Sequence, residues 1–496
     1  MNLEEIFKLE EISSQIDELK SGRETSLPKA RIYLRQLEPE EHDVMDRTKR
    51  KDKWVKVDLA EGTDEDGNAL TVRVNDGLGD KKAMRPEPVA RIALALQKLI
   101  VKKAVAFTFG NPVILNAEPE VNSKEEDVLK AVKRVLFDSK SRTINRKVAR
   151  AIYSSTEAAE FWYPIDKKHN NYGFDSKYKL RTAIFSPAFG DTLYPYFDET
   201  GDLIAFSREY LIEQEDKKDD VLYFETYTAT EIHKWRSDKS TSNQWVQEES
   251  YPRINTIGKI PIVYGAQPEV EWADVQNLID RLEKLLSNFA DTNDYHASPK
   301  IFTTGDIRGW AKKGESGAII EGEDGATAEY LSWAQAPEAV KLEIETLLRM
   351  IYTITQTPDI SFDSVKGLGN ISGVALKLLF MDAHLKVQEK MEIFDDYLQR
   401  RLSVIQAYLK QLNAKDAAFA IACDSLTIEP EIEPYMLDDE AAQVNTLLAA
   451  TGQKAIASRK IAVQQLGWVN DIDAEIEQIQ QEENPGLVAD LFEPTI

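Results

Sequence analysis

The segment TPDISFDSVKGLGNISGVALKLLFMDAHLKVQEKMEIFDDYLQRRLSVIQAYLKQLN, residues 357–413, decides how the rest of the chain is organised. Pro358 ends a preceding helix, because its ring disfavours helical dihedrals in the residue before it. The next thirteen residues, 359–371, contain two glycines and show no regular hydrophobic period. A Ser-Gly pair at Ser372 and Gly373 then leads into about forty residues without Pro or Gly.

The segment after this loop has apolar residues at helical spacing. A helix over 372–413 would be roughly 60 Å long at 1.5 Å per residue. Helices of globular proteins average about 11–12 residues, so a glycine-bearing loop between two long helices requires a special architecture. The residues on the predicted apolar stripe are Val374, Leu378, Met381, Leu385, Phe394, Leu398, Leu402, Ile405, Leu409 and Leu412.

Composition limits the classes of protein to which the chain can belong. Its 496 residues are 42% hydrophobic and 29% charged, which fits a soluble globular protein of about two to four domains. No run of 18 apolar residues occurs, so no membrane span is expected. Residues 1–20 lack the basic-then-apolar order of a signal peptide. The single cysteine, Cys423, excludes an internal disulfide and a multi-cysteine metal site, and favours a reducing compartment.

The formal net charge of −24 restricts how the chain can meet nucleic acid. Strong DNA binding through counterion release needs clustered Lys and Arg. Two interpretations therefore remain open. Either the protein has no contact with nucleic acid, or it makes a contact in which tight binding must be avoided.

Residues 1–267 are predicted to combine helices with a β layer. The segment 1–60 is predicted to be mainly helical. Residues 89–103 have the pattern of an amphipathic helix, and 104–115 that of two short strands around a Gly-Asn-Pro turn. Residues 160–263 change to a strand period and are rich in aromatic residues. We expect an antiparallel β layer on a helical base.

The middle of the chain is predicted to be a helix, a small αβ insertion and a second helix. These lie at residues 270–297, 299–336 and 338–356. After the long helix, residues 418–428 are predicted to form a strand. Residues 438–481 are predicted to form a small helical domain.

A search for catalytic motifs finds little. No GxxxxGK[ST] phosphate loop and no GxGxxG motif occurs, and Gly367 and Gly369 form only a lone GxG. Adjacent acidic residues such as Asp395 and Asp396 point to different faces of a helix, which favours a solvated surface over a metal site. Cys423 has no nearby His in the sequence and is interpreted as a buried apolar residue. The sequence therefore predicts no catalytic residue, cofactor site or metal site.

Four stretches carry a family resemblance. They are ALALQKLIVKKAVAFTFGNPVIL (93–115), IGKIPIVYGAQPEVEWADVQNLIDRLEKLLSN (257–288), TPDISFDSVKGLGNISGVALKLLFMDAHLKVQEK (357–390) and SRKIAVQQLGWVNDIDAEIEQIQQE (458–482). In this order and spacing they resemble the portal proteins of tailed double-stranded DNA bacteriophages, of the long-tailed-phage type. The most specific piece is SGVALK, from Ser372 to Lys377.

The resemblance implies an α+β portal-type fold. Its parts are a mainly helical wing and stem, an antiparallel β layer, a small αβ clip, a long tunnel helix and a helical crown. The first 60 residues carry no family signature. By segment, the resemblance places the wing at 61–267, stem helices at 268–298 and 337–356, the clip at 299–336, the tunnel loop at 357–371, the long wing helix at 372–413, and the crown and tail at 414–496.

The implied function is a ring-shaped channel of twelve copies at one capsid vertex, in a virion assembled in the host cytoplasm. A separate terminase motor drives genomic DNA through such a channel, and a head–tail adaptor later replaces the motor. Major capsid and scaffolding proteins are further expected partners. No membrane contact and no sequence-specific DNA contact are expected.

Three groups of residues are expected to carry this function. Acidic stem residues would form a wall that repels DNA, namely Glu271, Asp280 and Glu283. The loop positions expected to meet DNA are Asp363, Ser364, Lys366, Gly367, Gly369 and Asn370. The clip positions expected to contact partner proteins are Arg308, Trp310, Lys312 and Lys313.

Two other functions remain open at this stage. One is an acidic metal-dependent hydrolase or nuclease, and the other is a scaffold or adaptor protein without a channel. The loop between two long helices and the missing catalytic set favour the conduit over both.

Overall fold

The structure, a computed structural model, combines α-helices with antiparallel sheets. This confirms the predicted α+β class. The residues that the structure describes are 3–21, 27–57, 83–212, 220–238, 244–297, 301–304, 327–330, 336–359, 378, 380–435, 440–452, 457–469 and 472–483.

The chain divides into two compact units. The first contains residues 1–358 and 383–434, and the second contains 359–382 and 435–496. This division assigns residues 414–434 to the larger unit, although they lie in the segment expected to be crown.

The first part of the chain is helical, as predicted for this segment. Its helices are α1 (Leu3–Ile6), α2 (Ile12–Ser21) and α3 (Leu27–Leu37). Ile6, Ile16 and Leu19 are completely buried, and they pack in one apolar cluster with aromatic residues of the larger sheet described below. The N-terminal segment is therefore an integral layer of the first unit.

Three further helices and two short sheets complete the helical base. They are α4 (Leu96–Phe109), α5 (Lys124–Asp138) and α6 (Ser141–Ser155). Strand β1 (Lys53–Val57) pairs with β2 (Ala83–Glu87). Strand β3 (Ile114–Asn116) pairs with a short strand far along the chain.

The prediction for residues 89–115 is wrong in two respects. Helix α4 begins at Leu96 and not near Val89, and it continues through Ala104 to Phe109, where a strand was expected. Ala104, Val105 and Phe109 are buried in the main apolar core. A run of alternating Val, Ala and Phe is compatible with either structure, and here packing against the core decides for the helix.

The predicted antiparallel β layer is present. Every strand pairing in it is antiparallel. One sheet has the order β12-β4-β5, and the larger sheet has the order β10-β9-β8-β7-β6 with β11 paired to β9. The strands are β4 (Glu157–His169), β5 (Ser176–Phe185), β6 (Thr192–Phe197), β7 (Leu203–Ile212), β8 (Val221–Thr228), β9 (Glu231–Ser237), β10 (Val246–Gln247), β11 (Arg253–Ile254) and β12 (Ile262–Ala266).

The remaining elements of the first unit follow in chain order. A single 3₁₀ turn, Ala273–Val275, precedes helix α7, so the helix begins later than residue 268 or 270. The elements are α7 (Gln276–Ala297), β13 (Ile301–Thr304), β14 (Thr327–Tyr330), α8 (Ala336–Ile354), α9 (Met381–Leu412), α10 (Ala417–Ser425) and β15 (Glu429–Glu431).

Helix α9 runs through the main core but is shorter than predicted. It has 32 residues and starts at Met381, because Phe380 lies in a turn. Phe394, Leu398 and Leu402 are buried as the stripe predicted. The first part of that stripe is exposed, because Leu378, Met381 and Leu385 are 65%, 51% and 48% exposed. Apolar spacing alone does not distinguish a buried face from one left exposed in a single chain.

The strand predicted at 418–428 is a helix. The Asp416 side chain accepts a hydrogen bond from the Phe419 N–H, which caps the start of α10. Phe419, Ala422 and Cys423 have helical spacing and pack into the main core. The strand of this region is β15, which pairs with β3.

The described elements of the second unit are three short helices. They are α11 (Glu440–Thr451), α12 (Arg459–Leu466) and α13 (Ile472–Glu483). The Ser458 hydroxyl accepts a hydrogen bond from the Ile461 N–H and so caps α12, and Gly467 ends that helix with a positive φ of 64°. These elements confirm that the segment 438–481 is helical, as predicted.

Candidate functional site

Helices α7 and α8 pack together and leave the core at one end of the pair. Leu282 of α7 and Ile351 of α8 are completely buried. Tyr295, near the end of α7, is 63% exposed, and Leu342, near the start of α8, is 66% exposed. Arg281 and Glu343 join the two helices through a charged pair, with Nε–Oε1 at 2.9 Å. The two helices therefore form a hairpin that is buried at Leu282 and Ile351 and exposed at Tyr295 and Leu342.

One face of α7 binds the backbone of residues 90–94. The Ala90 N–H donates to Asp291 Oδ1 at 2.7 Å, the Ile92 N–H to Ser287 Oγ at 2.9 Å, and the Leu94 N–H to Glu283 Oε1 at 2.8 Å. Side chains four residues apart on a helix are about 6 Å apart along its axis, and alternate residues of an extended chain are about 6.6 Å apart. These two spacings match, so the three acceptors satisfy three backbone donors. This explains why the helix predicted from Val89 does not start there.

The same face of α7 holds the N-terminal segment in place. His42 Nδ1 lies 2.7 Å from Glu283 Oε1, and His42 Nε2 lies 2.7 Å from the Gln36 carbonyl oxygen. Both neighbours are acceptors, so the protonated ring, which donates from both nitrogens, satisfies both of them. Arg50 donates to Asp291 Oδ2 at 2.8 Å. Residues 36–50 are thus anchored on the predicted stem helix.

Burial opposes the charged form of His42, but the hydrogen bond and the charge of Glu283 outweigh it. The pKa of His42 is therefore raised above its ordinary value of 6.5.

Glu271 lies in a buried ion pair just before α7. Its carboxylate is 2.5 Å from Lys386 Nζ and 3.0 Å from Lys390 Nζ, both on α9, and its side chain is only 2% exposed. Burial opposes its ionisation, but the two lysine charges prevail, and the pKa of Glu271 is lowered. This pair fixes the start of the α7–α8 hairpin to the long helix.

The three predicted wall residues therefore have different environments. Glu271 and Glu283 are held in buried pairs inside one protomer and do not present their carboxylates at its surface, so we leave them out of the proposed channel wall. Asp280 is exposed and accepts a hydrogen bond from Gln276 Nε2 at 2.7 Å. Burial of part of its carboxyl, opposed by that hydrogen bond, raises the pKa of Asp280.

The end of α8, where the predicted tunnel loop begins, is fixed by two lysines. Lys386 Nζ donates to the Thr355 carbonyl oxygen at 3.0 Å, and Lys103 Nζ donates to the Pro358 carbonyl oxygen. Cations suit the carbonyl end of a helix because its last carbonyls lack partners and carry partial negative charge. The loop residues Asp363, Ser364, Lys366, Gly367, Gly369 and Asn370 lie outside the described residues.

The predicted clip contains one described pair of strands. β13 and β14 pair antiparallel, with Ile301 opposite Tyr330 and Thr304 opposite Thr327. The hydroxyls of Thr304 and Thr327 are 2.6 Å apart. The predicted contact residues Arg308, Trp310, Lys312 and Lys313 lie outside the described residues.

The described part of the chain offers few groups for catalysis. Within it, no group of three His, Cys, Asp or Glu side chains is arranged to hold a metal ion. Cys423 is buried, and burial raises the pKa of its thiol to about 12, which confirms its interpretation as a buried apolar residue. No described helix is both long and apolar enough to cross a bilayer.

Sequence reasoning missed the residues that anchor the hairpin. Lys386 and Lys390 are four residues apart on a helix, a spacing that places them on one face, but nothing in the sequence pairs them with Glu271. His42 belongs to no motif in the sequence. Its partner, Glu283, is 241 residues away.

Comparison with known proteins identifies the family. No curated protein matches the chain. Solved structures that align with it include a chain from the neck of an empty gene transfer agent (GTA) particle computed with C6 symmetry, at 10% identity and TM-score 0.41, over 75% of this chain and 89% of that chain. Another is from the neck of a native GTA particle computed with C12 symmetry, at 12% identity and TM-score 0.40, over 75% of this chain and 88% of that chain.

A third aligned chain, from the virion of a native GTA particle, has 10% identity and TM-score 0.38, over 75% of this chain and 88% of that chain. The family itself rests on sequence. The profile described as phage portal protein, SPP1 Gp6-like, matches residues 17–485, nearly the whole length. The chain therefore belongs to the phage portal protein family.

Proposed function

We propose that the protein forms a ring-shaped channel at one vertex of a phage capsid, through which genomic double-stranded DNA is packaged and later ejected. The observation that carries this proposal is the portal family match over residues 17–485. We propose a ring of about twelve copies, the number that the resemblance to portal proteins implies; identical heterologous contacts close into such a ring when the rotation between neighbours divides a full turn.

The geometry of the first unit supports a conduit. The α7–α8 hairpin emerges from the core, carries the clip strands β13 and β14 between its helices, and is followed by the proposed tunnel loop at 357–371. The chain just before this loop is held by Lys103 and Lys386, which donate to the Pro358 and Thr355 carbonyl oxygens. A net charge of −24 suits a channel that must release each phosphate it meets.

The proposed partners follow from the same architecture. Residues of the clip, including Arg308, Trp310, Lys312 and Lys313, would contact the terminase motor and then the head–tail adaptor. Major capsid and scaffolding proteins would surround the ring during assembly in the host cytoplasm, and the ring would stay in the virion. The protein would have no catalytic activity or cofactor of its own, since terminase supplies the work of translocation.

Two experiments test this function. Light scattering on the purified chain should give a mass of about 670 kDa, twelve times the 56.2 kDa of one copy, and a monomer would contradict the proposal.

A variant lacking residues 305–330 should still assemble but should not bind terminase or the adaptor in a pull-down. Undiminished binding of either partner would show that the clip is not the docking site.

A further inference from the structure

An excess of positive charge in this acidic protein lies on α5, α6 and the β4–β5 hairpin. Residues 130–150 contain eight Lys or Arg and one acidic residue, and residues 166–181 contain five basic and two acidic residues. The eight basic residues of the first segment are all exposed. We propose that this surface is a docking groove for an acidic polypeptide segment that carries one bulky apolar side chain, on a partner protein.

The two segments form one continuous surface. Asp138, at the end of α5, pairs with Arg134 Nε at 3.1 Å and with Lys179 Nζ of β5 at 2.6 Å. Burial opposes ionisation of Asp138, but Lys179 and Arg134 outweigh it and lower its pKa. The one acidic residue of segment 130–150 is thus already paired with Arg134 and Lys179.

A groove with a volume of about 220 Å³ opens within this surface. Leu115, Leu136 and Leu398 line it together with Lys133 and Arg142. An engineered apolar cavity of about 150 Å³ accepts a benzene ring, so the groove has room for a Leu or Phe side chain. In the described part of the chain, no carboxylate lies within ion-pair distance of Lys133 or Arg142. The groove thus combines an apolar lining with two cations that lack partners.

Phe137 is an aromatic residue that lines the same groove. Its side chain is 73% exposed, with the Arg134 guanidinium 5.5 Å from the ring centroid. Phe137 also lines the groove of Lys133 and Arg142, so an exposed aromatic ring lies beside these two cations. It offers an incoming apolar side chain a contact that burial would stabilise.

The charge at the base of the groove is not available to a ligand. Arg401 also lines the groove, but its Nη2 donates to Glu160 Oε2 at 2.7 Å and its Nη1 donates to Asn145 Oδ1. The cations that select an acidic ligand are therefore Lys133 and Arg142, at the exposed surface.

The apolar lining favours an acidic peptide over DNA. A DNA backbone needs exposed cations along its length and gains nothing from a pocket lined by leucines. A peptide with acidic residues on both sides of one Leu or Phe uses the cations and the pocket together, as helices and extended peptides do when they anchor in grooves. The bulky side chain supplies affinity, and the charges supply orientation and a faster approach.

The test measures peptide binding to the full-length protein by fluorescence polarisation. The probe is a fluorescein-labelled peptide of about twelve residues with one central Phe flanked by acidic residues. Three comparison probes are the same peptide with Ser for Phe, an oligo-glutamate of equal charge, and a duplex DNA of about 20 base pairs. The variants are Lys133→Glu with Arg142→Glu, and Phe137→Ser, which should fold normally because all three side chains are exposed. The matched control is Lys8→Glu with Lys49→Glu, two exposed lysines outside the groove.

We expect the Phe peptide to bind, and its dissociation constant to rise about tenfold or more in the double charge reversal and several-fold in Phe137→Ser. The control variant should bind as the unaltered protein does, and the Ser peptide should bind more weakly than the Phe peptide. Absence of binding would overturn the proposal. If oligo-glutamate or duplex DNA bound as tightly as the Phe peptide, the surface would be a general polyanion-binding surface and the proposal would be wrong. Loss of self-association in the groove variants without peptide binding would mean an interface between copies of this chain.

Discussion

The Glu271 carboxylate and the Lys386 ammonium form a buried ion pair at 2.5 Å that ties the start of the α7–α8 hairpin to the long helix α9. Lys386 also donates to the Thr355 carbonyl at the end of α8. One lysine therefore contacts both ends of the hairpin where they enter the core.

Removing Lys386 should destabilise the first unit strongly. In Lys386→Met, Glu271 keeps only Lys390 as a partner and the Thr355 carbonyl loses its donor. Breaking a buried pair costs about 3–5 kcal/mol when a charge is left alone, so we expect about 2–4 kcal/mol less free energy of unfolding in urea. Lys341→Met, which breaks an exposed pair with Glu345 on α8, is the control and should change stability by less than about 0.5 kcal/mol. Similar values for the two variants would contradict the anchoring role.

The pair of His42 and Glu283 should make stability depend on pH. Because the pKa of His42 is raised in the folded protein, its stabilising contribution is complete below about 6.5, the ordinary value. It is lost as the pH rises through the raised pKa. The free energy of unfolding should therefore fall over this range in the unaltered protein and fall less in His42→Gln. Urea unfolding at several pH values measures this, and parallel profiles for the two proteins would refute it.

Ser287 tests the backbone ladder on α7. Its hydroxyl is completely buried and accepts the Ile92 N–H. Ser287→Ala leaves that donor without a partner and should cost about 1–2 kcal/mol of unfolding free energy. Thr292→Ala removes an exposed hydroxyl that bonds only to its own helix, at the Asn288 carbonyl, and should change stability by less than about 0.5 kcal/mol. Amide exchange at Ile92 should also accelerate in Ser287→Ala alone, and unchanged exchange there would argue against the ladder.

Gly265 should not tolerate a side chain. A Cβ at this position on β12 would lie 2.8 Å from Tyr397 Cδ2 and 3.3 Å from Ile152 Cδ1. The Tyr397 ring cannot move away easily, because its hydroxyl donates to the buried Glu160 at 3.1 Å. Gly265→Ala should therefore cost about 1–3 kcal/mol, whereas Ala266→Ser, on the exposed side of the same strand, should be neutral within about 0.5 kcal/mol. A thermal unfolding comparison that shows no difference would mean that α9 can shift away from the sheet.

Local patterns predicted much of this fold because they act within a few residues. The strand period of residues 160–263 predicted the β layer that the structure shows. The Pro- and Gly-free run after residue 373 predicted a long helix, although its start was placed too early. These features depend on backbone preferences that the sequence carries directly.

The residues around the candidate site could not be predicted in the same way, because their environments depend on distant partners. Glu283 has the sequence context of an exposed acidic residue on a helix, but folding places His42 and the Leu94 N–H against it. Residues 90–95 have a helical pattern, but side chains of α7 take their backbone donors. The pattern of residues 104–109 is compatible with a strand or a helix, and packing against the core favours the helix. Long-range hydrogen bonding and packing decided each of these cases.

The central claim is that this chain assembles into a channel, and electron microscopy of the purified, full-length protein tests it most directly. The account predicts ring-shaped particles with a central opening and about twelvefold rotational symmetry, formed without terminase, adaptor or DNA. Monomers, or closed assemblies with no central opening, at concentrations where the protein is folded would contradict it.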